Sequence, residues 1–135
     1  MKRISLVGII DDDNIYQFMI KKILQGTGQV NAIISFSNGL EAINYLIANQ
    51  ANIEMLPDLL FLDLEMPYMD GWQFLDSYIE IGFPKLITLY IASSSNSHDD
   101  IYKSKQFTQV KGYLTKPIKK EIIEDVITRF LVGKV

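Results

Sequence analysis

The chain has 135 residues, of which 48% are hydrophobic, and 13 basic residues against 16 acidic ones give a net charge of −3. This composition is typical of one globular domain and excludes an intrinsically disordered chain. No basic run is long enough to indicate direct nucleic-acid binding. Zero cysteines exclude a disulfide framework and a thiolate metal site, and the first apolar run meets acidic residues too early for a signal peptide or a membrane span. We therefore expect a cytoplasmic protein with a single domain over residues 1–135 and no insertion into a membrane.

Apolar runs typical of strands alternate with helix-like segments along the chain. The runs predict five strands, at residues 4–10, 30–36, 58–64, 85–92 and 110–116. Helices are expected at residues 14–25, from a cap at Ser37 or Asn38 to about residue 49, at residues 71–81, at residues 98–106 and after the fifth strand. This strict alternation predicts an α/β fold whose parallel sheet is covered on both faces.

Two of these helices are identified by apolar residues at helical spacing. In the first helix these residues are Ile15, Phe18, Met19 and Ile23, and the glycines at 26 and 28 are its stop signals. The last helix carries one apolar stripe, formed by Ile122, Ile123, Val126, Ile127, Phe130 and Leu131.

Charged and polar side chains stand where the predicted strands end. They are Asp11, Asp12 and Asp13 after the first strand, Asp63 in the third, Ser93 after the fourth and Lys116 in the fifth. With right-handed crossovers, the carboxyl ends of parallel strands meet at one edge of the sheet, where such folds bind their ligands. We therefore expect these side chains to meet at that edge.

The triplet at residues 11–13 concentrates negative charge. Like charges about 4 Å apart repel by roughly 4 kcal/mol at an effective dielectric near 20, so a nearby cation would offset the cost. The alternative is that these aspartates are solvated and cap the next helix, which is the role we expect for Asp13.

Several carboxylates with one ammonium and one hydroxyl suit Mg²⁺ and phosphoryl transfer. Asp63 is the predicted nucleophile because it alone lies at the tip of a buried run, and its product would be an acyl phosphate. Lys116 is the expected point-charge partner, and Ser93 the hydrogen-bond donor to the phosphoryl group.

Four segments resemble the receiver domains of two-component response regulators: IIDDD at 9–13, FLDLEMPYMDGW at 61–72, ASSS at 92–95 and GYLTKP at 112–117. The resemblance covers nearly the whole chain. It implies a flavodoxin-like receiver fold, which is a doubly wound five-stranded parallel sheet with the strand order 2-1-3-4-5.

The resemblance also implies the roles of individual residues. Asp63 would be the phosphoacceptor, Ser93 and Tyr113 the switch residues, and Lys116 the lysine typical of the family, joined to Pro117 by a cis bond. The ligands of Mg²⁺, or of Mn²⁺, would be Asp11, Asp12, Asp63 and the backbone carbonyl of Glu65.

The resemblance implies a function in a phosphorelay rather than turnover of an external substrate. The phosphoryl group would come from a sensor histidine kinase or a histidine phosphotransfer protein. A change of shape would then alter a face formed by the fourth helix, the fifth strand and the fifth helix, which would bind a downstream protein. Because only VGKV follows the last helix, we expect a stand-alone receiver without an output domain.

Two other functions compete with this interpretation. A phosphatase of the haloacid-dehalogenase type also uses an aspartate nucleophile with Mg²⁺. The pattern of those enzymes has a second aspartate two residues after the nucleophile, where this chain has Glu65. A binding module of the same fold that is not phosphorylated would normally have lost the motif residues.

Among single residues, Tyr113 could be a plain core aromatic, His98 is expected on the surface, and Gly71 is expected to allow a backbone conformation that other residues avoid.

Overall fold

The computed structural model describes residues 2–133 of the chain. Its five strands are β1 (Ile4–Ile10), β2 (Val30–Phe36), β3 (Leu59–Leu62), β4 (Thr88–Ser93) and β5 (Val110–Thr115). Its five α-helices are α1 (Asn14–Gly26), α2 (Gly39–Ala48), α3 (Gly71–Ile81), α4 (His98–Ser104) and α5 (Lys120–Val132), and a short 3₁₀ turn, Ile53–Met55, precedes β3. The strict alternation predicted from sequence is confirmed.

The strands form one parallel sheet with the order β2-β1-β3-β4-β5. The chain moves outward from β1 to β2, returns across β1 to β3, and then continues to β4 and β5. The order therefore reverses between β1 and β3, which is where sheets of this kind bind their ligands. The predicted fold class, doubly wound with the order 2-1-3-4-5, is confirmed.

Helices cover both faces of the sheet, and successive strand residues point to opposite faces. In β3, Leu59 and Phe61 belong to the core on the side of α1 and α5, whereas Leu60 and Leu62 belong to the core on the side of α2 and α3. This two-sided burial explains why β3 reads as a continuous apolar run. Among the described residues, no helix has the length and apolar character needed to cross a membrane.

The buried face of α1 differs from the apolar positions that identified this helix. Ile15 is 75% exposed and Phe18 62% exposed, and Met19 is exposed as well. The residues that α1 buries are instead Tyr16, Gln17, Ile20 and Leu24. The last helix follows its predicted stripe more closely, since Ile123, Val126, Ile127 and Leu131 are buried and only Ile122 is exposed.

A polar cluster lies where β3 and β4 begin. The carboxylate of Asp58 accepts the backbone N–H of Leu6 and pairs with the ammonium of Lys85 at 2.8 Å. Lys85 also donates to the backbone carbonyl of Leu56. The regular strands β3 and β4 begin at Leu59 and Thr88, later than predicted, although the backbone of Asp58 still bonds to Leu6 and Thr88.

Gly71 is needed for space rather than for an unusual backbone conformation. Its φ is not in the left-handed region, where the glycines are Gly28 and Gly82. A Cβ at Gly71 would collide with the backbone oxygen of Asp63 and would lie 2.9 Å from the Cα of Leu64. The expectation of a special conformation at Gly71 was therefore wrong. Its lack of a side chain lets α3 begin directly against the end of β3.

Gly71→Ala is expected to lower the free energy of unfolding by about 2 kcal/mol, because the added methyl group overlaps rigid backbone. Gly26→Ala is the matched control, since a Cβ there meets no atom within 4 Å. Alanine in that helical position should stabilise the protein by about 0.5–1 kcal/mol. Urea unfolding measures both, and a Gly71→Ala protein as stable as wild type would contradict the close approach.

Candidate functional site

Backbone pairing brings the strand ends to one point. The register pairs Ile10 with Leu62, so the residues that follow, Asp11 and Asp63, are neighbours. The ladder continues past the strands, because the N–H of Asp63 donates to the carbonyl of Ile10 at 2.9 Å. On the other side of the site, the N–H of Lys116 donates to the carbonyl of Ser93 at 2.8 Å. The main chain thus fixes where these side chains begin.

Three carboxylates converge at this edge. One oxygen atom each of Asp11, Asp12 and Asp63 lies within 4.8 Å of the others. Asp11 is 1% exposed and Asp63 6% exposed, whereas Asp12 is in contact with solvent. Hard oxygen donors of this kind are the ligands that Mg²⁺ and Mn²⁺ prefer. The donor set therefore fits a divalent cation that enters from solvent.

The ammonium of Lys116 lies among these carboxylates. Its Nζ is 2.6 Å from Oδ2 of Asp11 and 3.8 Å from Oδ1 of Asp63. It also lies 4.0 Å from the ring centroid of Tyr16. Lys116 thus forms a short ion pair with Asp11, and its distance to Asp63 is longer than a hydrogen bond.

Burial sets the electrostatics of the carboxylates. It raises the pKa of Asp63 to about 6, the charge of Asp11 adds to this effect, and the charge of Lys116 opposes it. Burial also raises the pKa of Asp11, although the hydrogen bond from Lys116 works in the other direction. One ammonium therefore does not compensate for two buried carboxylates. Further positive charge at this site would stabilise their ionised forms.

Local hydrogen bonds orient the acidic residues. Oδ1 of Asp11 accepts the N–H of Asp13, and Oδ1 of Asp63 accepts the N–H of Leu64, both at 2.9 Å. Asp13 caps α1, because its carboxylate accepts the N–H groups of Ile15 and Tyr16. The capping role expected for Asp13 is confirmed. The turn after β1 therefore holds Asp11 in place and starts α1 at the same time.

Ser95 joins the end of β4 to β5 and α4. Its N–H donates to Oγ of the buried Ser93 at 3.1 Å, and its carbonyl accepts the hydroxyl of Tyr113 at 2.7 Å. Its own hydroxyl donates to the carboxylate of Asp100 in α4. Tyr113 is half-buried against the core on the side of α2 and α3. The hydroxyl of Ser93 and the ring of Tyr113 are thus linked through one residue.

Not every expected site residue is part of this cluster. Glu65 is exposed, and the expected role of its carbonyl stays a prediction. His98 is exposed at the start of α4, as expected. The Lys116–Pro117 peptide bond is cis, as the resemblance implied.

Sequence reasoning missed two buried contacts of α1 with the site. The side-chain amide of Gln17 donates to the backbone carbonyls of Asp11 and Phe36, which ties the ends of β1 and β2 to the helix. Tyr16 lies against Lys116. The sequence signal that could have revealed these contacts is the polar Gln17 on a helical stripe with the apolar residues Tyr16, Ile20 and Leu24.

Comparison with known proteins agrees with this geometry. The sequence model of the response regulator receiver domain family matches residues 7–128 of this chain. A probable methanogenesis regulatory protein, FilR2 of Methanothrix harundinacea, is 24% identical over 90% of this chain and 78% of its own length. A protein-glutamate methylesterase/protein-glutamine glutaminase of Geobacter sulfurreducens is 32% identical over 95% of this chain, and the sensor histidine kinase CheAY of Helicobacter pylori is 28% identical over 92%. The chain spans only 31% and 15% of these last two proteins.

Solved structures show the same fold. A two-component response regulator of Cytophaga hutchinsonii superposes with a TM-score of 0.87 at 28% identity, covering 97% of this chain and 99% of that one. The Mn²⁺-bound form of response regulator Rcp1 superposes with a TM-score of 0.78 at 22% identity, covering 93% and 94%. At this lower identity the second likeness concerns the fold alone.

Asp63→Asn is expected to stabilise the metal-free protein at pH 7 by about 2–3 kcal/mol, because a pKa raised from 3.8 to about 6 favours the neutral carboxyl in the folded state. Wild type loses this advantage as the pH rises from about 4 through 6, whereas asparagine stays neutral. The gain should therefore vanish at pH 4 and below.

Urea unfolding in the presence of a chelator at pH 4 and pH 7 measures this difference. Asp76→Asn, at an exposed position of α3, is the matched control and should change the free energy of unfolding little at either pH. An Asp63→Asn protein that gains nothing at pH 7 relative to pH 4 would show that burial does not penalise this carboxylate.

Proposed function

The chain belongs to the response regulator receiver domain family, and on that premise we propose that it accepts a phosphoryl group on Asp63 from a histidine kinase or a histidine phosphotransfer protein. The observation that carries the proposal is the position of Asp63, whose buried carboxylate lies next to Asp11 and 3.8 Å from the Lys116 ammonium. We place this exchange in the cytoplasm.

In the proposed transfer, a carboxylate oxygen of Asp63 attacks the phosphorus of a phosphohistidine. A P–O bond forms, the P–N bond breaks, and the leaving imidazole takes the electron pair and a proton from solvent. The Lys116 ammonium would meet one oxygen of the phosphoryl group, and the Ser93 hydroxyl would donate to another. The raised pKa of Asp63, about 6, still leaves most of this side chain ionised at neutral pH.

We further propose that Mg²⁺, or Mn²⁺, is held by the carboxylates of Asp11, Asp12 and Asp63 and by the backbone carbonyl of Glu65. The three carboxylates support this assignment through their proximity and their oxygen chemistry. When bound, the cation supplies positive charge that offsets the carboxylates and the phosphoryl oxygens.

A protein donor is supported by the surface around the site. Its phosphohistidine must approach Asp63 from solvent, past the exposed Asp12. Helix α1 begins two residues after Asp12 and exposes Ile15, Phe18 and Met19. Contiguous apolar surface of this kind marks protein contact sites. We propose that the donor rests there, and that the chain acts as a phosphoacceptor without turnover of an external substrate.

The proposed output runs through Ser93, Ser95 and Tyr113 to a downstream protein that binds α4, β5 and α5. The hydrogen bonds that join Ser93 to Tyr113 by way of Ser95 support this route. In this structure Tyr113 is already turned in against the core. Phosphorylation would then favour this inward arrangement over an outward one, rather than create it.

Incubation with Mg²⁺ and acetyl phosphate, followed by intact mass, tests the phosphoacceptor. Acetyl phosphate is small and needs no docking surface, so the result depends on the site alone. Wild type is expected to gain one phosphoryl group and Asp63→Asn none. Asp76→Asn is the matched control and should be labelled like wild type. Equal labelling of wild type and Asp63→Asn, or none in wild type, would contradict the proposal.

Beryllofluoride with Mg²⁺ tests the switch, because it mimics a phosphoryl group on a carboxylate. The amide signals of Ser93, Ser95 and Tyr113 are expected to shift in the nuclear magnetic resonance spectrum of wild type. Asp63→Asn should show no shift under the same conditions. If the amide signal of Asp63 shifts in wild type and those of Ser93, Ser95 and Tyr113 do not, the proposed coupling of Tyr113 to the site is wrong.

A further inference from the structure

Tyr16 lies at the acidic site but has no part in the proposed phosphoryl transfer. It is 8% exposed and packs in the core on the side of α1 and α5. The cap at Asp13 fixes its backbone, because the carboxylate of Asp13 accepts the N–H of Tyr16 at 3.1 Å. The same turn holds Asp11. The position of the Tyr16 ring is therefore set together with that of the acidic residues.

The ring of Tyr16 faces the cation of the site. Nζ of Lys116 lies 4.0 Å from the ring centroid, well within the range of a cation–π contact. The hydroxyl of Tyr16 is buried and has no hydrogen-bond partner among residues 2–133. Burial, together with the charges of Asp11 and Asp63, raises the pKa of this hydroxyl, which keeps the ring neutral. The contact that Tyr16 makes with the site is therefore through its ring face.

The face of an aromatic ring attracts an ammonium group without accepting one of its N–H donors in a directed hydrogen bond, as an oxygen would. Lys116 has three N–H donors, of which Asp11 takes one at 2.6 Å. A lysine side chain also has a long, flexible stem, so a single ion pair leaves its head group poorly oriented. A second contact that leaves donors available would orient it toward Asp63, which lies 3.8 Å away.

We propose that Tyr16 is a positioning residue, whose ring face holds the Lys116 ammonium between Asp11 and Asp63 so that it meets an oxygen of the phosphoryl group. The inference rests on the proposed role of Asp63 as phosphoacceptor. It assigns the work to the ring and none to the hydroxyl. Phenylalanine should therefore replace Tyr16, and an aliphatic residue should not.

The rate of labelling by acetyl phosphate tests this assignment. Tyr16→Leu is expected to lower the rate about tenfold, and Tyr16→Phe to restore it to within about twofold of wild type. In a Lys116→Met background, Tyr16→Leu should cause no further loss, since the contact it removes is already absent. Tyr78→Leu, which removes a buried tyrosine from the opposite core, is the matched control and should keep the wild-type rate.

A spectroscopic measurement tests the contact without any phosphodonor. The ε-methylene protons of Lys116 should be shifted upfield by the ring current in wild type and Tyr16→Phe, and not in Tyr16→Leu. The proposal would be overturned if Tyr16→Leu were labelled at the wild-type rate. It would also be overturned if Tyr16→Leu lowered the rate in the Lys116→Met background as much as it does in wild type. If Tyr16→Leu does not fold, an unshifted Lys116 signal in wild type overturns it. A shifted signal in a protein that is not labelled would refute the phosphoacceptor and leave the placement of Lys116 standing.

Discussion

The unequal charge at the carboxyl edge of the sheet is the constraint on which the rest of the site depends. Two buried carboxylates, Asp11 and Asp63, share the single ammonium of Lys116, at 2.6 Å and 3.8 Å. Burial raises the pKa of both carboxyls even with that ammonium present. A site of this kind is locally unstable, and it gains stability from any ligand that brings positive charge. The unbalanced charges at this edge therefore favour the binding of a cation.

Backbone hydrogen bonds hold the two repelling carboxylates next to each other. Asp11 and Asp63 follow two adjacent strands whose residues are nearly all buried, and their N–H groups remain in the ladder. Lys116 is tied to Ser93 in the same way on the other side. Because side-chain repulsion cannot separate the strands without breaking these bonds, the carboxylates stay together. The glycine at 71 extends the same rigidity into α3, since its missing side chain lets the helix press on the backbone after β3.

The sequence predicted the strands and the capping role of Asp13 because each leaves a local signal, an apolar run or a cap residue. The order of the sheet was implied by the resemblance of four segments to receiver domains. The sequence did not predict which side of α1 is buried. Two stripes have helical spacing there, one with Phe18 and one with Tyr16 and Ile20, and periodicity alone does not choose between them. The buried side is the one on which Gln17 bonds to the ends of β1 and β2, and the β2 partner, Phe36, is 19 residues away in sequence. The contact of Tyr16 with Lys116 depends on that choice, so it was missed as well.

The two connections that meet at Ser95 place different demands on the sequence. Tyr113 binds the backbone carbonyl of Ser95, which every residue type offers. Asp100 binds its side-chain hydroxyl, which only serine or threonine offers in this form. The link from the site to β5 uses only the backbone of residue 95 and is therefore open to any residue except proline, whereas the link to α4 depends on the side chain. A substitution at this one position that removes the hydroxyl would break the bond to α4 and leave the bond to Tyr113 in β5 in place.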